Sequence, residues 1–265
     1  MNRDAAEVRA PTGTQAIGRA LRMVQLLADE GRELSLPMIA DRLDLTSGTA
    51  HRIIRALAAE GLVAHNPRND CYYLGAGMVL LGLAAQRGFG LDKALPVLEQ
   101  VNADTEESVN LTIREGRESV VLLRVQSTLP LRFEQTPGAR FPLYTTAAGK
   151  AILAHSPDAG TYLESLPDEL PAITERTLRR RDQLAGQLAQ VRDRGYSVDE
   201  EENVPGVRCV GAPVVDARWI AQAAVVIQVP SVRMPHQRMA ELGARAVEAA
   251  RDVARFLPID RVMSR

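Results

Sequence analysis

Only two cysteines, Cys71 and Cys209, occur in the 265 residues, and they lie far apart in the sequence. A disulfide framework is therefore not what organises this chain. Long hydrophobic runs are missing too. The longest, over 78–85, is interrupted by Gly82 and falls far short of the roughly 20 residues a membrane-spanning helix needs. The first dozen residues (MNRDAAEVRAPT) carry both signs of charge and no apolar stretch. They read as a flexible arm over 1–13 rather than a secretory signal, and a cytoplasmic protein is expected. Low-complexity tracts and repeats of fixed period are absent. The four histidines, His51, His65, His155 and His236, show no metal-ligand spacing, so neither a metal nor a cofactor is expected. Charge of one sign is not in excess either. With a net charge of −1, a DNA-binding protein must concentrate its positive charge locally. Lysine is nearly absent: all but Lys93 and Lys150 of the 32 basic residues are arginine. Bidentate recognition of phosphate and guanine is one reading of that bias, and a GC-rich genome is the blander one.

What is present is an ordinary globular composition, 46% hydrophobic and 25% charged, in a chain long enough for two domains. Between 14 and 31, Ile17, Leu21, Val24 and Leu27/Ala28 recur at helical intervals, one face of an amphipathic helix ended by Gly31. Ser35 is placed to cap a second short helix with Pro37 in its first turn and Leu36, Ile39, Ala40 and Leu43 on its apolar side. Asp44 then supplies one of the few non-glycine residues that tolerate a left-handed turn. Thr46 or Ser47 caps a third helix that buries Ala50, Ile53, Ile54 and Leu57 and ends at Glu60-Gly61. Two short helices across a tight turn make a helix-turn-helix. Segments 62–65 and 71–74, either side of Asn66-Pro67-Arg68-Asn69-Asp70, read as a β-hairpin. A hairpin directly after the third helix is a wing, and the combination over 14–75 is more specific than a bare helix-turn-helix.

The chemistry of that third helix points to DNA. Thr46, Ser47, Thr49, His51, Arg52 and Arg55 lie away from its apolar face, with no acidic residue between Thr46 and Ala59. A small hydroxylated first turn can approach base edges and phosphates, and the arginines supply guanine or phosphate contacts. Arg68 at the wing tip can reach a neighbouring groove, and Ser35 is counted with the DNA-facing set. The alternatives are a solvated polar face or a winged helix used as a protein–protein adaptor.

A helix over 76–90 follows, apolar on most of its circumference through Met78, Val79, Leu80, Leu81 and Leu83. Core packing is one use for it. A dimer contact is preferred, because palindromic operators require dimers. In the second domain, 91–258, a helix carries Leu95, Leu98 and Val101, with Pro96 expected in its first turn. Strands over 108–113 and 119–125 flank Arg114-Glu115-Gly116-Arg117, and a third is expected over 131–134 before the turn Thr136-Pro137-Gly138. Helices are expected over 147–155, 157–165, 181–194 and 235–257, strands over 196–199, 207–215 and 219–229, and a tail over 259–265. Paired strands with segregated helices predict an α+β fold with an antiparallel sheet.

Three stretches carry a family resemblance: Tyr73-Leu74-Gly75, the segment 141–151 (FPLYTTAAGKA), and 195–202 (GYSVDEEE) through 206–214 (GVRCVGAPV). In this order, and over about 17–257, the chain resembles the IclR (isocitrate lyase regulator) family of transcription regulators. The resemblance implies a winged helix-turn-helix, a linker helix and a GAF-like effector domain. It also implies homodimers or dimers of dimers on operator DNA, with RNA polymerase a further partner for an activator; a repressor of a catabolic or metabolic operon is expected. Its effector pocket would include the main-chain amides of Ala147 and Ala148, with Asp199 and Cys209 on facing walls; Leu131 and Phe133 are counted with them. The residues themselves support the first element. Thr145 or Thr146 caps a helix that opens on tiny side chains, so a carboxylate can sit on its free N–H groups. Gly149-Lys150 is followed by Ala151, which excludes a phosphate-binding loop.

Two departures from the family pattern matter. Val226 and Gln228 stand where many members carry serines, on one face of a strand. The pocket gains a methyl wall and an amide, which argues against the smallest keto acids and for a small carboxylic acid with an apolar or amide-bearing body. Gly48 stands near the start of the recognition helix, where it serves close backbone approach to DNA or reflects drift. The competing reading is an enzyme using Cys209 on a small acid, with the N-terminal domain as a dimerisation module. A nucleophile needs a base, and no histidine lies near Cys209 in sequence.

Overall fold

The computed structural model describes residues 14–258; the arm expected over 1–13 and the tail expected over 259–265 lie outside them. The chain divides between Gln86 and Arg87 into two units. Among the described residues no helix is long and apolar enough to cross a membrane.

The first unit is built from α1 (Gln15–Glu30), β1 (Leu34–Ser35), α2 (Leu36–Arg42), α3 (Ser47–Ala59), β2 (Val63–Asn66), β3 (Cys71–Leu74) and most of α4 (Ala76–Gly88). Its core joins Met23 and Leu27 of α1 to Ile39, Ala50, Ile54 and Val63. The expected face of α1 is displaced by part of a turn. Ala20, Met23, Val24 and Leu27 pack inward, while Ile17 and Leu21 are 62% and 65% exposed. Two apolar stripes run side by side on this helix, and the core takes only one. Ser35 holds the N-cap position of α2 in an extended conformation, but its side chain makes no cap bond; it also belongs to a short strand, opposite Cys71. That strand gives a sheet of order β1-β3-β2. Asp44 adopts the left-handed conformation expected of it, φ 51°.

In the second unit α5 (Leu91–Thr105) precedes the hairpin of β4 (Ser108–Glu115) and β5 (Glu118–Val125). Pro96 lies inside α5 rather than in its first turn, since the helix begins at Leu91. Next come β6 (Arg140–Pro142), a 3-10 turn over Leu143–Thr145, α6 (Ala147–Ala154), α7 (Ala159–Glu164) and α8 (Arg181–Arg194). β7 (Ser197–Glu200), β8 (Val207–Val215), β9 (Ala221–Pro230) and α9 (His236–Ala254) complete it. The six strands form one antiparallel sheet in the order β6-β5-β4-β9-β8-β7. Side chains alternate across it as strand geometry requires. Val210, Ala212, Val225 and Ile227 join the core made with α5 and α9, whereas Cys209, Ala224 and Val226 face α6.

No strand forms over 131–134. The alternating pattern is there, but Arg124 and Arg233 donate to the carbonyls of Phe133 and Leu131, which are thus engaged by side chains rather than by a ladder. The outer strand is β6 instead. Leu131 is consequently 57% exposed.

Every residue of α6 is buried. Its backbone comes so close to its surroundings that a Cβ on Gly149 would lie 2.1 Å from the Leu143 carbonyl oxygen, and one on Gly211 would lie 2.9 Å from the Ala147 carbonyl carbon. The Lys150 ammonium, fully buried, donates to Glu202 Oε1 at 2.6 Å and Gln187 Oε1 at 2.7 Å. At the other end of α6, His155 stacks on Trp219 of the β8–β9 turn, ring centroids 6.5 Å apart; Trp219 is 71% exposed and has φ 60°. Removing one partner of a buried pair strands the other charge. Lys150→Ala should therefore cost about 3–5 kcal/mol in urea unfolding, and Lys150→Met combined with Glu202→Leu should recover most of it.

Candidate functional site

The first candidate surface is α3. Thr46 caps it in an extended conformation, its Oγ1 accepting from Thr49 N at 3.3 Å. Ser47, His51, Arg52 and Arg55 are exposed and Thr49 half-exposed, opposite the buried Ala50, Ile53, Ile54 and Leu57. Arg52, Arg55 and the wing-tip Arg68 have no ion-pair partner among the described residues. Ser35 is half-buried and sits on β1, not on this face. A side chain at Gly48 would meet nothing within 4 Å, so folding does not require glycine there. The wing is held from below by Glu33, which accepts from Asn66 Nδ2 at 2.9 Å and Asn69 Nδ2 at 2.6 Å. Those amides, Asn69 first, keep the Glu33 carboxyl below its ordinary range. Nothing in the local sequence pattern signals this anchor, because it joins residues more than thirty positions apart.

The second candidate is a pocket of about 40 Å³ between α6 and the sheet. Thr146 caps α6 by accepting from Gly149 N at 3.0 Å, and Lys150 N bonds the Thr146 carbonyl. The N–H groups of Ala147 and Ala148 are left without a partner among the described residues. The sheet supplies the facing wall by register: Asp199, Cys209 and Gln228 lie in one cross-strand row, and Gly211, Val226 and Asn110 in the next but one. The structure thus brings six expected residues together on one cavity: Ala147, Ala148, Asp199, Cys209, Val226 and Gln228. Phe133 packs against this apolar cluster without lining the opening, and Leu131 points elsewhere. Sequence reasoning missed Asn110, Gln135 and Asn203. Asn110 falls on the polar side of an alternating strand, between Ser108 and Thr112, and nothing in that pattern singles it out.

Electrostatics divides the pocket. Cys209 has its thiol pushed well above the ordinary range by burial, and then by the negative charge of Asp199. With no histidine on the lining, a thiolate nucleophile has neither activation nor base. Burial pushes the Asp199 carboxyl up to about 7, against the pull of Lys150. The folded form therefore keeps a proton that the unfolded chain releases near its ordinary pKa of 3.8. Folding takes up a proton across that interval, so stability falls as pH rises through about 7. His155, whose pKa burial lowers from 6.5, works in the opposite sense, its contribution growing as pH rises through about 6.5. Between about pH 4 and 7 the Asp199 contribution to urea stability should decline, levelling off above about 7, and Asp199→Asn should remove that decline.

Comparison with known proteins finds both domains. Residues 16–67 match the IclR helix-turn-helix domain, and residues 91–255 match the family described as bacterial transcriptional regulator IclR, C-terminal. The HTH-type transcriptional regulator BhcR of Paracoccus denitrificans is 32% identical over 243 residues, 91% of this chain and 87% of the relative. The HTH-type transcriptional repressor AllR of Escherichia coli is 30% identical over 253 residues, 95% of this chain and 93% of the relative. The crystal structure of Thermotoga maritima IclR superposes with a TM-score of 0.73 at 27% identity, covering 90% of this chain and 97% of that one. The first surface lies within the matched helix-turn-helix domain and the second within the matched C-terminal domain, and the chain belongs to the IclR family of bacterial transcriptional regulators.

Proposed function

We propose that this regulator is a homodimeric, acid-responsive repressor of a catabolic or metabolic operon, acting in the cytoplasm. The observation that carries the reading is α3, whose exposed face holds two unpaired arginines and no acid. Repression is supported by AllR, a named repressor of similar sequence. Dimerisation is supported by α4, none of whose residues is buried although Val79, Leu80, Leu81 and Leu83 are large and apolar. A contiguous greasy surface of this kind calls for a partner. A two-fold dimer would set two α3 helices on the half-sites of a palindromic operator.

The second unit is the sensor, a GAF-like domain in this reading. A carboxylate of the effector sits on the Ala147 and Ala148 N–H groups at the positive end of α6, its body against Val226 and within reach of Gln228. Binding shifts the spacing of the two α3 helices, and it does so only through different affinity for the two arrangements.

Mobility shift on the DNA upstream of the chain's own gene tests the reading; a purified dimer indifferent to that DNA and to neighbouring promoters at low salt contradicts it. Arg52→Ala should weaken operator binding by about 1–3 kcal/mol with thermal unfolding unchanged. Gly48→Ala should stabilise α3 by up to about 1 kcal/mol yet lower operator affinity, because the added methyl stands between backbone and DNA. Unchanged affinity would leave the glycine without a role in contact.

A further inference from the structure

Arg124 stands on β5 in the row shared with Asn110 and Val226, hence on the pocket side of the sheet. Its Nη1 donates to Gln228 Oε1 at 2.9 Å, Asn110 Oδ1 at 3.2 Å and Gln135 Oε1 at 3.3 Å. Nη2 donates to Ser108 Oγ at 3.3 Å and to the Phe133 carbonyl, while Nε is buried without a partner. Among the described residues no carboxylate pairs with it. Glu134 acts on it only at a distance and is itself engaged by Arg132 and Gln126. Elsewhere the same unit neutralises buried charge directly, as where Glu107 takes both Arg233 and Arg238. A partly desolvated cation surrounded by neutral dipoles is costly, and burial indeed pulls its pKa down.

The amides around it have no choice of orientation. A guanidinium only donates, so Asn110, Gln135 and Gln228 turn their oxygens to Arg124 and their NH₂ groups away. The Asn110 NH₂ is taken by Gln135 Oε1 at 3.1 Å, and that of Gln228 meets the Cys209 thiol. Both glutamines line the cavity. The cavity therefore has two donor-rich ends: the bare amides of α6, and the glutamine NH₂ groups backed by an uncompensated positive charge.

Building on the reading of this cavity as the effector pocket, we propose that the effector is a short dicarboxylic acid. One carboxylate lies on Ala147 and Ala148, and the other supplies the counter-charge of Arg124 through Gln135 and Gln228. The cavity is small, holding about three waters at about 10–15 Å³ each, which limits the diacid to a short chain. Arg124 acts here as a positioning and specificity-determining residue rather than a direct ligand.

Calorimetric titration of the full-length protein with matched pairs, malonate against propionate and succinate against butyrate, tests this. In the wild type a diacid should bind at least about tenfold more tightly than its partner monoacid. Arg124→Met should bring the two within about twofold, and Arg124→Lys should keep part of the preference. Gln135→Met, on an irregular segment and leaving Arg124 intact, should weaken the diacid alone, which keeps the test decisive if Arg124→Met does not fold. Equal binding of diacid and monoacid by the wild type, or a preference that survives both Met variants, overturns the proposal and leaves the pocket reading standing. Failure of every acid to bind a protein that still shifts its operator removes the pocket reading and this proposal together.

Discussion

The second unit is organised by the backbone of α6 lying against its neighbours with no side chain in between. Gly149 lets the helix press onto the 3-10 turn that precedes it, and Gly211 lets the sheet come up to Ala147. At that spacing the first turn of α6 and the rows of β8 and β9 enclose the small cavity lined by Ala147, Ala148, Cys209 and Val226. Seating the helix this deeply also forces Lys150 out of water, and the pair with Glu202 follows from that burial. Asp199, at the end of β7 just before Glu202, accepts from Glu202 N through its Oδ1 at 2.7 Å. Pocket wall and buried ion pair are therefore one construction, and a change to either is felt by the other.

Most elements were legible because periodicity and punctuation agreed. The helix-turn-helix could be read from Asp44, Thr46 and the apolar spacing of α3, and the second hairpin from Gly116 between two apolar runs. The pocket residues on β8 and β9 came from the family resemblance, and strand alternation added that Val226 and Gln228 share one face. The failures share a cause, since each concerns a choice among partners that no local pattern encodes. Ile17 and Leu21 follow helical spacing as well as Met23 and Leu27 do, and only tertiary packing decides between the stripes. Segment 131–134 alternates like a strand, yet guanidinium groups from distant positions took two of its carbonyls. Ser35 takes the N-cap position of α2 yet keeps its hydroxyl out of the cap, and its backbone pairs with Cys71. Lys150 was read only as the residue that fails a phosphate-loop pattern; its acidic partner lies 52 positions further on.

Charge is handled differently in the two units. In the second, buried ionic groups are mostly paired, as with Glu107 and Lys150. On α3 the guanidinium groups stand free, which costs little in water and leaves them available for phosphate, where release of condensed counterions drives association. A chain with a net charge of −1 can thus bind a polyanion without a global field, because its cations are unpaired where the groove would be.

Trp219 is the chain's single tryptophan, and it rests on the imidazole that ends α6. Its ring is mostly in solvent, yet the backbone of the same turn is tied to that helix end, Ala221 N donating to the His155 carbonyl at 3.1 Å. A displacement of α6 along its axis would therefore change the environment of the indole. The molecule carries an intrinsic fluorophore at the far end of the helix whose near end faces the pocket, and its emission gives a label-free optical view of sensor movement.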